Sequence, residues 1–135
     1  MSCRHQAHQA SHHLSIYYVK DYRELQVWQL GHALALEIYA TTKSFPKDEL
    51  FGLTSQMRRA ASSIPANIAE GCGRDGDAEL KRFLIIALGS ACELDYFILL
   101  SAELGYLATE VSKKIGEDSL RLRRQLGAFI RKLKA

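Results

Sequence analysis

Five polar residues have the types and spacing from which a reaction centre could be built. Arg59, Ser63, Asn67 and Glu70 follow one another at steps of four, four and three, so they share one face of a helix. Glu93 lies further along the chain in a second apolar segment. Carboxylates, a hydroxyl and a guanidinium together could catalyse proton transfer, supply a nucleophile or bind a metal ion.

The residues around this set do not complete any of those sites. A di-iron centre in a helix bundle needs Glu-x-x-His pairs, and the chain contains none. Ser63 has no histidine that could be placed beside it, because His32 is the only one after the first twenty residues. We therefore predict that the protein is not an enzyme and holds neither a metal nor a cofactor.

We interpret the same residues as a structural polar network around a proline. Pro65 removes a helical donor, at a cost of about 3 kcal/mol, so we expect the helix to kink there with polar side chains nearby. Arg59 is expected to pair with Glu70 or Glu93 and so to fix which helices face each other. Gly71 is predicted to end this helix in a left-handed conformation.

Apolar spacing predicts four helices in one domain. They span about 21–43, 48–71, 76–104 and 109 to the C-terminus, with Asp75 or Asp77 expected to cap the third and Gly105 to close it. Short connections favour an antiparallel, up-down-up-down four-helix bundle over residues 20–135. No alternating strand pattern competes with this all-α prediction.

Residues 1–19 have a different composition and are predicted to form a disordered leader. Histidines stand among Gln, Ala and Ser there, and a metal-binding tail is the alternative because His8 and His12 would share a helical face. The first twenty residues lack the continuous apolar core of a secretory signal. Because the three cysteines are odd in number and widely spaced, we predict that the protein is cytoplasmic.

The third helix is apolar around nearly its whole circumference. Such a helix needs burial on more than one side, which in a small bundle predicts a homo-oligomer. Glu93, Asp95 and Glu103 interrupt the apolar run and would be costly in lipid, so we predict no membrane association.

Positive charge is concentrated at the C-terminal end. Residues 112–135 hold eight Lys and Arg against two acidic residues, a net of +6, whereas the whole chain has a net of +3. This helix is either a solvated face or a phosphate-binding surface. No aromatic residue alternates with the basic ones, so the helix itself does not indicate base stacking. The predicted nucleic-acid contacts are Lys113, Lys114, Arg121, Arg124, Arg131, Lys132 and Lys134.

The chain from about 21 to 133 resembles a known family, the small four-helix-bundle proteins encoded in intervening sequences of bacterial 23S ribosomal RNA genes. These are similar in turn to the accessory variability determinant of diversity-generating retroelements. The resemblance is carried by Leu25-Gln26-Val27-Trp28-Gln29, Phe45-Pro46 with Glu49, Gly52-Leu53-Thr54-Ser55-Gln56, Arg58-Arg59-Ala60, Ser63-Ile64-Pro65-Ala66-Asn67-Ile68-Ala69-Glu70-Gly71, Ala87-Leu88-Gly89-Ser90 with Glu93-Leu94, and Leu104-Gly105-Tyr106-Leu107.

This resemblance implies a homopentameric ring with a basic surface and no enzymatic activity. In the retroelement branch the pentamer binds a reverse transcriptase and nucleic acid. Together with the charge pattern, it predicts a non-catalytic oligomeric module that binds RNA or DNA as a nucleic-acid or ribonucleoprotein accessory. The alternative is a scaffold for protein partners with no physiological role in binding nucleic acid.

Overall fold

Four α-helices account for most of residues 21–134, the part of the chain that this computed structural model describes. They are α1 (Gln26–Thr41), α2 (Leu53–Cys72), α3 (Asp77–Glu103) and α4 (Thr109–Lys132). No strand occurs among the described residues, so the all-α prediction is confirmed. The predicted leader and its alternative metal-binding tail lie outside the described residues.

Short 3-10 turns and two glycines set the helix ends. Turns at Tyr22–Glu24 and Thr42–Ser44 flank α1, and a third at Lys47–Glu49 precedes α2. The Glu49 side chain accepts a hydrogen bond from the backbone N–H of Leu53 at 3.1 Å and so serves an otherwise unpaired donor in the first turn of α2. Gly105, at φ +82°, follows α3 as the sequence predicts.

The start of α3 departs from the prediction of an aspartate cap. Gly76 is the N-cap residue, at φ +98°, and Asp77 is already the first residue of the helix. The N-cap position has a positive φ, which glycine adopts more easily than aspartate, so Gly76 and not an aspartate occupies it. Asp77 lies in the first turn instead, where its negative charge interacts favourably with the helix dipole.

Each helix packs on two others around one core. α2 lies against α1 and α3, and α4 lies against α3 and α1. Contacts between α2 and α3 pair residues in opposite chain order, from Met57 with Ser101 to Ser63 with Ser90. The fully buried side chains come from all four helices, and the largest are Leu34, Ile38, Met57, Ile64, Ile68, Leu84, Leu94, Ile115, Leu122 and Leu126.

α2 approaches both neighbours at positions that only glycine fits easily. The helix continues through Pro65, which is buried, and ends at Cys72 rather than at Gly71. A Cβ added at Gly71 would lie 2.9 Å from the Cβ of Phe83 on α3. A Cβ on Gly31 of α1 would lie 3.1 Å from a methyl carbon of Ile64 and 3.6 Å from the ring of Pro65. The predicted left-handed cap at Gly71 is therefore wrong, since that glycine serves helix packing.

α3 is the one helix of the described part that is long and apolar enough to cross a membrane by length and composition alone. The core helix of a soluble bundle meets the same criterion; 33% of the apolar window of α3 is buried in the bundle, where Leu84, Leu94 and Ile98 belong to the core.

Adding a methyl group at Gly71 should therefore destabilise the protein. Gly71→Ala forces a Cβ against Phe83, and overpacking of this kind costs about 1–3 kcal/mol. Gly116→Ala is the control: this helical glycine has nothing within 4 Å of an added Cβ, so the change should stabilise by about 0.5–1 kcal/mol. Urea unfolding followed by circular dichroism measures both, and equal effects of the two variants would contradict the close approach.

Candidate nucleic-acid interface

The fourth helix separates its apolar and basic residues onto two faces. Ile115, Ser119, Leu122 and Leu126 are buried against the bundle at steps of three and four residues. Other exposed positions carry the predicted phosphate contacts: Lys113, Lys114, Arg121, Arg124, Arg131, Lys132 and Lys134. Within this set, four residues lie on one side of the helix, in a sector about 80° wide: Lys113, Arg121, Arg124 and Arg131, which we call the outer basic face.

The arginines at the centre of the outer basic face stand in an open setting. Arg121 and Arg124 border a shallow depression of about 320 Å³ together with Glu117, Leu120 and Gln125. Neither guanidinium forms a salt bridge with a carboxylate among residues 21–134. Their charge is therefore available to an anion from solution.

Lys114 differs from the other predicted contacts because two carboxylates already hold it. Its ammonium group donates to Glu37 of α1 at 2.5 Å and to Asp118 at 2.9 Å. The hydrogen bond to Glu37, and then that to Asp118, raises the pKa of Lys114 well above its usual range. Partial burial is the largest single influence and works to raise the pKa of Asp118, but the hydrogen bonds with Lys114 and Glu37 and the positive charges of Lys114 and Arg121 together outweigh it, so the pKa is lowered. Lys114 therefore joins α4 to α1 more than it adds to the positive field.

Arg123 is a second basic residue with an internal role. Its guanidinium donates to Asp95 of α3 at 3.1 Å, and the side chain is largely covered. The two partners are 28 positions apart, so no local spacing in the sequence indicates the pair. Both neighbours of α4 are thus joined to it by an ion pair, and the remaining cations point outward.

The predicted polar network is divided between a groove and the surface. The groove between α2 and α3, about 760 Å³ in volume, is lined by Phe51, Ser55, Gln56, Arg59, Ala60, Ser63, Ser90 and Glu93. We call it the α2–α3 groove. Ser63 donates to the Ser90 hydroxyl at its floor, and the Asn67 amide donates to the Ser63 carbonyl at 2.8 Å.

Arg59 and Glu93 line the same groove but form no ion pair with each other within residues 21–134. Glu70 is exposed and accepts from Arg74, one turn later, at 2.7 Å. No group of three or more potential metal ligands occurs in the described part of the chain. The arrangement therefore joins Ser63 to Asn67 and leaves both charges of the groove facing solvent.

The comparisons with known proteins agree with one another. The family model described as "23S rRNA-intervening sequence protein" matches residues 23–128. A crystal structure of a protein with unknown function, from the S23 ribosomal protein family of Bacteroides thetaiotaomicron VPI-5482, is similar at 27% identity. It has a TM-score of 0.73 over 78% of this chain and 96% of that one. No curated protein sequence matches.

The family match extends from the turn before α1 to within four residues of the end of α4, and so includes every buried core residue but Leu133, together with the outer arginines Arg121 and Arg124. The similar crystal structure has the same fold, and the match between the two covers nearly the full length of that protein. By sequence and by fold, this chain belongs to the 23S rRNA-intervening sequence protein family.

Proposed function

We propose that this protein is a non-catalytic, oligomeric accessory module that binds the phosphate backbone of structured RNA or of duplex DNA through the outer basic face. The observation that carries the proposal is the division of cations on α4. Lys114 and Arg123 are held by carboxylates, whereas Arg121 and Arg124 are exposed without an ion pair in the described chain. Cations with no internal partner are the groups that release counterions when they meet phosphates.

The family gives a further reason to favour RNA. The family is named for the intervening sequences of 23S rRNA genes, and the similar crystal structure is assigned to a ribosomal protein family. Both names describe the family and the similar protein, not a measured activity of this chain. For this chain, the association of the family with ribosomal RNA genes is a reason to propose a cytoplasmic ribonucleoprotein role rather than a general affinity for polyanions.

An antiparallel up-down-up-down arrangement is part of the proposal. Contacts in reversed chain order between α2 and α3 support it, and so does the Lys114–Glu37 pair between α4 and α1. We also propose that Pro65 bends α2, because its ring nitrogen cannot donate to the carbonyl of Ala61 one turn back.

Self-association, in our proposal as a pentamer, uses the outer side of α3. Four large apolar side chains there are between 41% and 55% exposed: Ile85, Ile86, Tyr96 and Leu99. We call these residues the α3 apolar stripe. Large apolar side chains exposed along one helix are typical of protein interfaces. A ring would repeat α4 around an axis and multiply its positive field, which raises both affinity and association rate.

A protein-binding scaffold is the second candidate function. The α2–α3 groove favours it, because the groove carries the unpaired charges of Arg59 and Glu93 beside Phe51, which is 92% exposed. An aromatic anchor next to a polar groove suits a protein partner such as a reverse transcriptase. Recovery of one specific protein after nuclease treatment, together with negligible nucleic-acid affinity at low salt, would favour the scaffold.

Charge reversal on the outer basic face should weaken nucleic-acid binding strongly. Arg121→Glu/Arg124→Glu removes two phosphate contacts, so we expect roughly ten-fold or greater loss of affinity for a structured RNA. The slope of log affinity against log salt should fall by about 1 per lost contact. Fluorescence anisotropy with a labelled RNA hairpin across a salt series measures both.

The matched control changes net charge by the same amount elsewhere. Lys43→Glu/Lys47→Glu reverses two exposed lysines in the connection between α1 and α2. This variant should retain most of the affinity. If both double variants weaken binding equally, net charge rather than the outer basic face is responsible, and the proposed site is wrong.

Substitution of lysine for apolar residues of the α3 apolar stripe should dissociate the proposed oligomer. Ile85→Lys/Leu99→Lys places two charges in the proposed interface, where desolvation opposes association. Light scattering coupled to size exclusion should show a shift toward monomer while circular dichroism keeps its helical signal. Leu36→Lys, at a 59% exposed position on α1, is the control and should leave the mass unchanged. An unchanged mass of the α3 variant would exclude this stripe as the interface.

A further inference from the structure

Aromatic rings form a row along one side of α1 that the proposed function does not use. Trp28 and His32, one helical turn apart, are stacked, with ring centroids 4.7 Å apart and an interplanar angle of 13°. Tyr22, from the turn before the helix, meets the edge of Trp28 at 5.1 Å. Tyr39 lies on the same side, eleven residues after Trp28. We call these four residues the α1 aromatic row.

An arginine lies over a tyrosine at each end of this row. The guanidinium carbon of Arg23 is 4.8 Å from the centre of the Tyr22 ring, and that of Arg58 is 5.0 Å from the centre of the Tyr39 ring. Asp21 pairs with Arg23, and Arg58 donates to the Thr42 hydroxyl at 2.9 Å. These partners hold both guanidinium groups in place.

Packing in the core explains only part of the row. Trp28 and Tyr22 lie partly against the core cluster, which accounts for one side of their rings. His32 and Tyr39 are exposed, and Tyr39 leaves 43% of its surface in solvent. A flat imidazole stacked on the outer side of an indole adds little core burial but presents a further flat surface outward.

The dimensions of the row suit several bases of one strand. From Trp28 to Tyr39 the helix rises about 16 Å. One strand of DNA advances about 3.4 Å per nucleotide when stacked, so the row is long enough for roughly three to five nucleotides. Unpaired bases stack on aromatic rings and on guanidinium planes, and the row offers both.

We propose that the α1 aromatic row binds unpaired nucleobases of single-stranded nucleic acid, with His32 and Tyr39 as stacking surfaces and Arg23 and Arg58 at its ends. The proposal rests on the proposed function, because the phosphate contacts of α4 supply most of the affinity. It adds a preference for single strands, since the bases of a duplex are stacked inside and cannot reach the row. RNA and DNA share this chemistry, so both belong in the test.

A single tryptophan in the chain makes the inference directly measurable. Emission from Trp28 should fall when a twelve-nucleotide oligoadenylate binds, because bases joining the stack on His32 change the surroundings of the indole. A twelve-base-pair duplex should bind without this change, and so should inorganic polyphosphate, which supplies charge without bases. RNA and DNA forms of the oligoadenylate show whether the 2′-hydroxyl matters.

Variants separate stacking from charge. His32→Ala or Tyr39→Ala should weaken oligoadenylate binding roughly ten-fold, while duplex affinity stays the same. Gln26→Ala, at an exposed position on another side of α1, is the control and should change neither. Circular dichroism checks that each variant remains folded.

Two negative results have different meanings. If duplex and oligoadenylate both bind but Trp28 emission and the alanine variants show no difference between them, the aromatic row is not a base-binding site. If none of the nucleic acids binds at low salt, the proposed function fails, and this inference fails with it.

Discussion

The close approach of α2 to its two neighbours is the constraint on which the rest of this structure depends. Gly31 lets α1 meet the Ile64–Pro65 segment, and Gly71 lets α3 bring Phe83 to within van der Waals distance of α2. A side chain at either position would push the helices apart, and a tightly packed core transmits such a shift rather than absorbing it. The polar residues of α2 are then confined to its remaining surface, where Ser63 reaches Ser90 at the floor of the α2–α3 groove.

Packing also decides which charges on α4 remain available. Because α4 packs against α1 and α3, Lys114 forms an ion pair with Glu37 and Arg123 forms one with Asp95. Both pairs are only partly covered, so each contributes little to stability. Burial of Ile115, Leu122 and Leu126 sets the rotation of α4, and Arg121 and Arg124 therefore face outward. The net charge of α4 is thus larger than the charge that a polyanion could contact. That accessible charge comes from the cations that have no carboxylate partner within the bundle.

Local patterns predicted the helices well, and long-range contacts account for most of what they missed. Apolar spacing and Gly105 placed all four helices within five residues of their observed bounds, and the starts of α1 and α2 were predicted five residues early because short 3-10 turns precede both helices. Gly71 was misassigned because a glycine near a helix end suits a left-handed cap and close packing equally well, and only the position of Phe83 distinguishes them. The pair of Arg123 with Asp95 has no local signal at all, whereas the stacking of Trp28 on His32 follows from their four-residue spacing and could have been predicted.

The two proposed surfaces would divide recognition between them in a way that neither could achieve alone. A basic helix face attracts any polyanion, because a phosphate contact carries no information about the bases or about pairing. An aromatic row alone would distinguish unpaired bases from paired ones, but its association with a strand would be slow. Its two arginines are each held by a neighbouring group, so they add little long-range attraction. Placed on the same small bundle, the first would supply affinity and the second selectivity. An oligomer would then add reach, because a strand held by α4 of one subunit could meet the row of another, and linked weak sites bind more tightly than separate ones.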